Sequence, residues 1–234
     1  MKSIAIMQPT FLPWIGYFSL INSVDEFIFL DNVQFDKRSW QQRNRIKTAQ
    51  GPIWLSLPVL TKGRSNQLIQ DVEILKESDK DPFHKIKIAI EHNYNKAPYY
   101  NYYAKNLFAL FDEKEPNLAP LNQSIITWVC RELSIKTTFI KASTSSVTGQ
   151  KENLLVDICK DRNASHYISP PGSKSYLNDG DAFNSAGIVL KYYSYKHPCY
   201  KQLHGNFEPH MCIIDLMFNE GPASANIVKK GLTE

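Results

Sequence analysis

The stretch SIAIMQPTFLPWIGYFSLINSVDEFIFLD, residues 3–31, decides the fold. It opens with a short apolar run, Ser3 to Gln8, which Pro9 ends, and this pattern predicts a buried strand followed by a turn. Apolar residues from Trp14 to Ile21 then recur at helical spacing, and Glu26 to Leu30 is a second strand-like run. Strand, helix and strand over this length predict a β-α-β unit. Because loops that follow parallel strands meet at one edge of the sheet, Gln8 to Trp14 and Asp31 to Phe35 are expected to lie close together.

The rest of the chain continues this rhythm of strands and helices. Residues 36–50 contain no long apolar run and are predicted to be a loop or an exposed helix, and residues 82–133 show helical spacing. Further strands are predicted at Ile53 to Val59, Thr137 to Ile140, His166 to Ser169 and Ile188 to Tyr193, with helices over Glu152 to Asp161, Tyr176 to Ser185 and Ile213 to Phe218. Gly221 and Pro222 are predicted to begin a tail.

These elements predict one α/β domain over residues 1–234, with a Rossmann-like, mostly parallel sheet. Residues 1–75 would form the N-terminal βαβ unit and a basic loop, and residues 76–134 a helical insertion in the middle of the chain. Residues 135–220 would form a C-terminal α/β half.

The composition is that of an ordinary globular protein, and the spacing of the glycines excludes two nucleotide-binding motifs. The chain has 234 residues, 43% of them hydrophobic and 21% charged, as in ordinary globular proteins. The net charge of +4 suits an anionic ligand but does not by itself indicate nucleic acid. No two of the ten glycines are closer than seven residues apart, which excludes both a dinucleotide fingerprint and a P-loop.

The expected location is the cytoplasm. The four cysteines form no C-x-x-C pair, which favours free thiols in a reducing compartment. The N-terminus shows no signal-peptide pattern, and no apolar stretch approaches the roughly 18 residues that cross a membrane. We therefore expect no membrane insertion, and the sequence predicts no oligomeric state.

Polar, aromatic and cationic residues gather around the first two predicted strands. Pro9 and Pro13 fix the backbone before a helix whose first amides are available to an anion, and guanidinium groups match phosphate oxygens. An aromatic wall beside a basic rim predicts a nucleotide or nucleotide-sugar site, although helix capping and a solvated basic face explain the same residues separately. The predicted binding residues here are Gln8, Pro9, Thr10, Trp14, Tyr17, Gln34, Lys37, Arg38, Trp40, Arg43 and Asn44.

Three long strings in this chain resemble the WbqC-like family, which is found among bacterial O-antigen and other surface-polysaccharide genes. They are MQPTFLPWIGYFSLI, FLDNVQFDKRSWQQRNRIKT and YKHPCYKQLHGNFEPHMCIIDLMFNEG. The resemblance implies a role in making an unusual sugar of a surface glycan. Some such sugars carry an aminoacyl group such as glycyl, so the leading expectation is amide formation on the amino group of a nucleotide-linked deoxyamino sugar. The expected partners are that sugar and an acyl or aminoacyl donor, with tRNA only as a carrier of the donor.

Amide formation needs a base for the ammonium group and donors for the developing oxyanion. Asp31, at a strand end beside the cluster, is the first candidate base, and it is alternatively a magnesium ligand. His84, near the start of a predicted helix, is the second, although it also fits a plain surface histidine. Gln8, Gln34 and Asn44 can donate amide hydrogens, while Arg38 and Arg43 would hold a diphosphate.

The N-terminal unit is also similar to the start of the pantothenate-synthetase and nucleotidyltransferase superfamily. Trp14 and Tyr17 occupy the places of the two histidines in its H-x-G-H signature, so the signature itself is absent. Ser173-Lys174-Ser175 resembles the mobile K-x-S-type loop of that superfamily, or is a chance match. This second resemblance implies an adenylating amide ligase using ATP and magnesium, with Lys174, Ser175 and Tyr176 as substrate-binding residues.

Three other clusters have both a functional and a structural interpretation. A run of histidines and cysteines from His197 to Cys212 would suit zinc by residue type, but its spacing matches no familiar finger, so a packed loop without a metal is predicted. The tyrosines between Tyr94 and Tyr103 either stack on a ligand or fill a helix-helix corner. Asp215 and Asn219 lie one helical turn apart and either pack the helix or close the ligand site.

Three classes of function follow from these observations. The first is a sugar N-acyltransferase, aminoacyltransferase or amide ligase. The second is a non-catalytic nucleotide-sugar binding protein, since the sequence shows no recognisable nucleophile-base pair. The third is a nucleic-acid binder that uses Lys37 to Lys47, for which a net charge of +4 is weak support.

Overall fold

A parallel sheet of five strands forms the centre of the protein in a computed structural model that describes residues 1–76, 81–175, 177 and 181–233. The strands of the chain are β1 (Ser3–Met7), β2 (Glu26–Phe29), β3 (Arg43–Thr48), β4 (Gly51–Ser56), β5 (Thr138–Lys141), β6 (His166–Ser169), β7 (Val189–Tyr192), β8 (Ser194–Tyr195) and β9 (Leu232–Thr233). The central sheet has the order β5-β2-β1-β6-β7, and its neighbouring strands pair in parallel. The predicted α/β fold is confirmed.

Helices flank this sheet. They are α1 (Ile15–Asn22), α2 (His84–Tyr94), α3 (Tyr100–Asp112), α4 (Leu118–Glu132), α5 (Lys151–Asp161), α6 (Asp181–Ser185), α7 (Ile213–Glu220) and α8 (Ser224–Lys230). Short 3-10 helices lie at Ile69–Asp71, Ala142–Thr144, Pro171–Ser175 and Gly221–Ala223. Among the described helices, none is long and apolar enough to cross a membrane.

The two faces of the sheet carry separate apolar clusters. Side chains alternate along a strand, so Ala5 of β1 joins the larger cluster with α1 to α4 and α7, whereas Ile4 and Ile6 join the smaller one with α5 and α6. Burial on both faces explains why the central strands read as short continuous apolar runs.

The segment 36–50 contains a strand, so the prediction of a loop or exposed helix was wrong there. Residues Arg43 to Thr48 form β3 and pair with β4 in an antiparallel hairpin. Gly51, at φ +106°, takes a turn conformation that L side chains rarely adopt. The strand escaped prediction because the residues on its buried side, Asn44, Ile46 and Thr48, are mostly polar, and no apolar alternation marks them.

The predicted tail after Gly221 was also wrong. The chain continues as α8, whose Val228 is buried, and α8 packs on α1. Strand β9 then pairs with β8. Two buried residues, Ser224 and Val228, of which only Val228 is apolar, are a weak sequence signal in a short basic segment, and contact with α1 decides the structure.

An ion cluster lies at the amino-terminal ends of the central strands. Glu26 of β2 contacts Lys2 at 2.7 Å and receives two bonds from the Arg162 guanidinium, at 3.0 and 3.2 Å. Those Arg162 bonds are the leading cause of a pKa for Glu26 below its usual value of 4.5.

We expect Glu26→Gln to lower the free energy of unfolding at pH 7 by about 1.5–3 kcal/mol, the range for bonds to charged groups. A carboxyl whose pKa is lowered by folding stabilises the protein above its unfolded pKa and loses that contribution as the pH falls through the folded value. The gap between wild type and variant should therefore begin to close as the pH falls below 4.5, the ordinary pKa of Glu26, and should disappear only below the lower pKa of the folded state. Urea unfolding at neutral and acidic pH tests this, and an equal gap at both pH values would contradict it.

Candidate functional site

A cavity of about 410 Å³ opens at the carboxyl edge of the sheet, between β1 and β6. The strand order reverses between these two strands, since the chain places β2 and β5 on one side of β1 and β6 and β7 on the other. Ligands of open α/β sheets bind at such a reversal point. We call this cavity the inner compartment; its lining includes Met7, Gln8, Thr10, Leu30, Val33, Trp40, Gln41, Lys151, Tyr167 and Pro170.

A second cavity of about 310 Å³ adjoins the first. The two share Met7, Thr10 and Trp40. We call the second cavity the outer compartment; its remaining lining residues are Trp14, Tyr17, Asn44, Arg45 and His210. Each compartment has the volume of a small-molecule pocket, roughly 300–1,000 Å³.

Buried amide side chains hold the loop from Gln8 to Trp14 that separates the compartments from the core. Asn122 donates to the carbonyl oxygens of Pro9 (3.1 Å) and Gln41 (2.8 Å). Asn44 donates to the carbonyl oxygens of Phe11 (3.2 Å) and Leu12 (2.8 Å). Leu12 is fully buried at φ +45°, a conformation that this bonding maintains. The loop is therefore fixed before any ligand arrives.

The aromatic wall depends on a glycine in the first turn of α1. The Trp14 ring lies so close to Gly16 that a Cβ there would stand 2.2 Å from it. Tyr17 follows in the same turn, and its hydroxyl donates to the Gln8 carbonyl oxygen at 3.0 Å. Gly16 thus allows both rings to line the outer compartment.

Polar donors and cations face the compartments. The Gln8 side-chain oxygen accepts a bond from Gln41 at 2.8 Å, which leaves the Gln8 amide hydrogens available. Arg45 and Lys151 form no ion pair within the described part of the chain, and Lys151 begins α5, whose first-turn amides favour an anion. The site can therefore compensate negative charge without glycine loops.

His210 lies against the Trp14 ring, with centroids 5.1 Å apart. Partial burial is the leading cause of a pKa below its usual value of 6.5, and the nearby positive charge of Arg45 lowers the pKa further. The neutral imidazole is thus the main form at pH 7, as a general base requires.

The His197 ring accepts a hydrogen bond from the backbone of His210 and so helps to hold that residue in place. Its Nδ1 lies 2.9 Å from the Pro198 carbonyl oxygen, which only accepts, so Nδ1 carries the hydrogen. Its Nε2 then accepts the His210 backbone N–H at 3.2 Å. Both bonds fit a neutral ring, and burial is the main reason that the pKa of His197 lies below its usual value.

A buried polar network anchors the loop that carries these histidines. The Asp215 carboxylate accepts bonds from Tyr94 (2.7 Å), Tyr200 (2.8 Å) and Gln202 (2.7 Å). Lys47 of β3 donates to Gln202 at 3.1 Å and also to the carbonyl oxygen of Asn206. Burial raises the pKa of Asp215 despite these bonds. The network joins the loop to α2, α7 and the hairpin.

Several residues that the sequence proposed for binding line these compartments. They are Gln8, Thr10, Trp14, Tyr17, Trp40 and Asn44. Pro9 lies in the same loop and is buried, with its carbonyl bonded to Asn122. Asn44 uses its amide hydrogens on the loop carbonyls, so its role here is to hold the loop.

The two candidate bases lie outside the lining of both compartments. Asp31 is buried, and its oxygens accept bonds from Gln123 (3.0 Å) and from the Ser143 amide and hydroxyl (both 2.9 Å). It thus connects the end of β2 to α4 and to the segment after β5. His84 is exposed at the start of α2. Within the described residues, no three His, Cys, Asp or Glu side chains gather as a metal site.

The remaining proposed residues that the structure describes lie outside the lining of the two compartments, which together form the cleft. Lys37 and Arg38 are exposed beside it, Arg43 packs over the Trp54 ring, and Gln34 bonds to the Ser65 carbonyl oxygen. Lys174 lies over the Tyr192 ring at 4.8 Å, and Asn219 bonds to backbone atoms of Leu203 and Asp215. Asp215 belongs to the buried network. The Ser175 side chain and Tyr176 lie outside the described residues.

Sequence reasoning missed Gln41, Arg45, Lys151 and His210 as lining residues. His210 belongs to the histidine-cysteine run that was interpreted as a packed loop. A useful signal was present, since three histidines within such a loop indicate polar chemistry as well as packing. Lys151 gave none, because a lysine at a helix start is ordinary.

The model of the WbqC-like protein family matches residues 8–227, which include all the lining residues named above except Met7. The chain belongs to the WbqC-like protein family. The uncharacterized protein Rv1507c of Mycobacterium tuberculosis is 36% identical to this WbqC-like chain over 231 residues, which cover 98% of each protein. No solved structure matches the chain significantly.

Proposed function

We propose that this chain forms an amide on the amino group of a nucleotide-linked deoxyamino sugar, acting in the cytoplasm on the precursor of a bacterial surface glycan. The observation that carries this proposal is the outer compartment. There, a neutral imidazole and a guanidinium that forms no ion pair with any described residue face an aromatic wall next to a cavity at the reversal point of the sheet. Membership of the WbqC-like family supports the sugar substrate.

The inner compartment fits the nucleotide diphosphate. Lys151 and the first-turn amides of α5 supply positive potential at one side, and Gln8 and Thr10 supply hydrogen-bond donors at the other. Thr10 and Trp40 belong to both compartments, so a sugar attached to the diphosphate reaches the outer one.

The chemistry then needs one base and one acyl donor. His210 accepts a proton from the sugar ammonium, and the freed amine attacks the carbonyl carbon of the donor. The Arg45 guanidinium, which lines the outer compartment with His210, stabilises the oxyanion. The intermediate collapses with loss of the carrier, which takes the second nitrogen proton, and the products are the amide, the protonated carrier and His210 with its added proton.

A mass assay tests this function. Purified protein is incubated with dTDP- or UDP-linked amino sugars and one of three donors: an acyl coenzyme A, glycine with ATP and magnesium, or glycyl-tRNA. We expect the mass of one acyl group, or of a glycyl group, to be added to the sugar nucleotide in one combination. Tight binding of the sugar nucleotide without a product in any combination would favour the non-catalytic binding protein instead. No binding and no product would contradict both.

A further inference from the structure

Two tryptophan rings are exposed beside the cleft. Trp40 has 48% and Trp54 has 45% of its surface exposed, and their ring centroids are 5.1 Å apart. Trp54 lies on β4, and Trp40 precedes β3. Two adjacent exposed indoles are costly in water unless a ligand covers them, because each presents a large apolar surface.

Arginines accompany these rings. Arg45 stands directly opposite Trp54 in the hairpin register, and Arg43 lies on the same strand face, two residues away. The Arg43 guanidinium carbon is 4.3 Å and that of Arg45 5.9 Å from the Trp54 ring centroid. Neither arginine forms an ion pair with any described residue. We call Trp40, Trp54, Arg43 and Arg45 the hairpin face.

The hairpin face is continuous with the cleft. Trp40 lines both compartments, and Arg45 lines the outer one beside His210. A ligand seated on the hairpin face can therefore extend a reactive group past Arg45 into the outer compartment. The inner compartment adjoins the outer one at Met7, Thr10 and Trp40. A second ligand in the inner compartment can therefore meet the first one near Thr10.

We propose that the hairpin face binds the nucleotide that carries the acyl donor, with its base stacked on the tryptophans and its phosphates on the arginines. Exposed indoles are sequence-tolerant platforms for bases, and guanidinium groups are suited to phosphate. This proposal rests on the proposed function and adds to it the class of the second substrate, a small nucleotide-linked donor such as a coenzyme A thioester or an acyl adenylate.

The size and charge of the hairpin face favour one nucleotide over RNA. Two rings and two arginines match one base and its phosphates, whereas an RNA strand requires a longer basic track. The whole chain has a net charge of only +4. We therefore expect the donor to be a small molecule.

Binding measurements test the hairpin face without relying on turnover. Coenzyme A and ATP are titrated by calorimetry into the full chain, alone and with saturating dTDP or UDP. We expect one of the two probes to bind in both cases, and Trp54→Ala to weaken that binding about tenfold or more, as the loss of a stacked base predicts. Arg43→Gln should weaken it as well and reduce its dependence on salt.

Matched control variants show whether a loss of affinity comes from the hairpin face or from a general loss of structure. Tyr102→Ala removes another exposed aromatic ring, 63% exposed on α3, and Lys105→Gln removes an exposed charge on the same helix. Neither should change the affinity for the probe, and circular dichroism should show an intact fold for Trp54→Ala. Trp54→Phe should retain most of the binding, because a ring remains.

The outcomes distinguish this proposal from the proposed function. Unchanged probe affinity in Trp54→Ala, competition between the probe and dTDP or UDP, or binding of neither probe would overturn it, even if the mass assay gives a product. Tighter binding of tRNA with a steep salt dependence would overturn it in favour of RNA. Loss of probe binding in Trp54→Ala without any product in the mass assay would support the hairpin face and contradict the proposed function.

Discussion

Replacing His210 with Gln is expected to lower kcat by about 10²- to 10⁴-fold, the usual contribution of a general base. His210 lines the outer compartment, and glutamine keeps a polar side chain there without a titratable nitrogen. The affinity for the sugar nucleotide should stay nearly unchanged, because Lys151 and Gln8 lie in the inner compartment. The mass assay in single-turnover form measures the rate, and calorimetry measures the affinity.

The pH dependence gives a second readout of His210. Partial desolvation of this exposed imidazole, followed by the charge of Arg45, lowers its pKa below 6.5. The neutral base therefore persists at pH 7, and the rate should fall only as the pH drops below 6.5. Arg45→Gln should move this acid limb toward higher pH, since removing a nearby positive charge makes the protonated ring easier to form. The residual rate of His210→Gln should not fall in this way at acidic pH.

His204→Gln is the matched control. His204 lies in the same loop, is exposed and bonds through Nε2 to the Asn93 carbonyl oxygen, away from both compartments. It should keep the wild-type rate and pH profile. A His210→Gln enzyme with wild-type kcat and an unaltered acid limb would remove this histidine from the mechanism.

Replacing Asn122 with Leu is expected to lower the free energy of unfolding by about 2–6 kcal/mol, since two buried carbonyl groups lose their donor at about 1–3 kcal/mol each. Asn122 is fully buried. Its amide bonds to Pro9 and Gln41 join α4 to the loop from Gln8 to Trp14, here called the cleft loop, and to the segment before β3. Leucine has a similar size, so packing changes little. For a chain of this length the melting temperature should fall by about 4–24 °C, at about 2–4 °C for each kcal/mol.

Asn106→Leu is the control for this substitution. Asn106 is exposed on α3, so the same chemical change there should leave the melting temperature nearly unchanged. Differential scanning calorimetry of the three proteins measures the effect. If Asn122→Leu melts with the wild type, the two bonds do not stabilise the folded state, and the cleft loop must be held by other contacts.

The parallel sheet could be predicted because its strands are buried on both faces and read as apolar runs. Strand β3 could not, since Asn44 and Thr48 occupy its buried side and satisfy their hydrogen bonds inside the protein. Apolar periodicity carries no information where burial is achieved by bonded polar groups. The C-terminal helix α8 was missed for a related reason, since its contact with α1 depends on the assembled fold.

The aromatic side of the cleft could also be predicted, because Trp14, Tyr17 and Trp40 lie close to the first β-α-β unit in sequence. The base could not. Asp31 stood at the right strand end, yet its carboxylate turns toward Gln123 and Ser143. His210 is about two hundred residues from Gln8 in sequence. The hydrogen bond from the Cys212 amide to the Arg45 carbonyl oxygen, 2.9 Å long, and the bonds from Lys47 to Gln202 and Asn206 hold its segment beside the hairpin.

The bonded carbonyls of the cleft loop have a consequence for binding thermodynamics. An irregular segment normally loses conformational entropy when it closes on a ligand, and that loss reduces affinity. Here Asn44 and Asn122 already restrict the segment in the free protein. The Phe11 amide, which donates to the Trp40 carbonyl oxygen at 3.0 Å, should therefore exchange with deuterium slowly even without substrate. Ligand addition should change its exchange little, whereas residues that order on binding would show a large change.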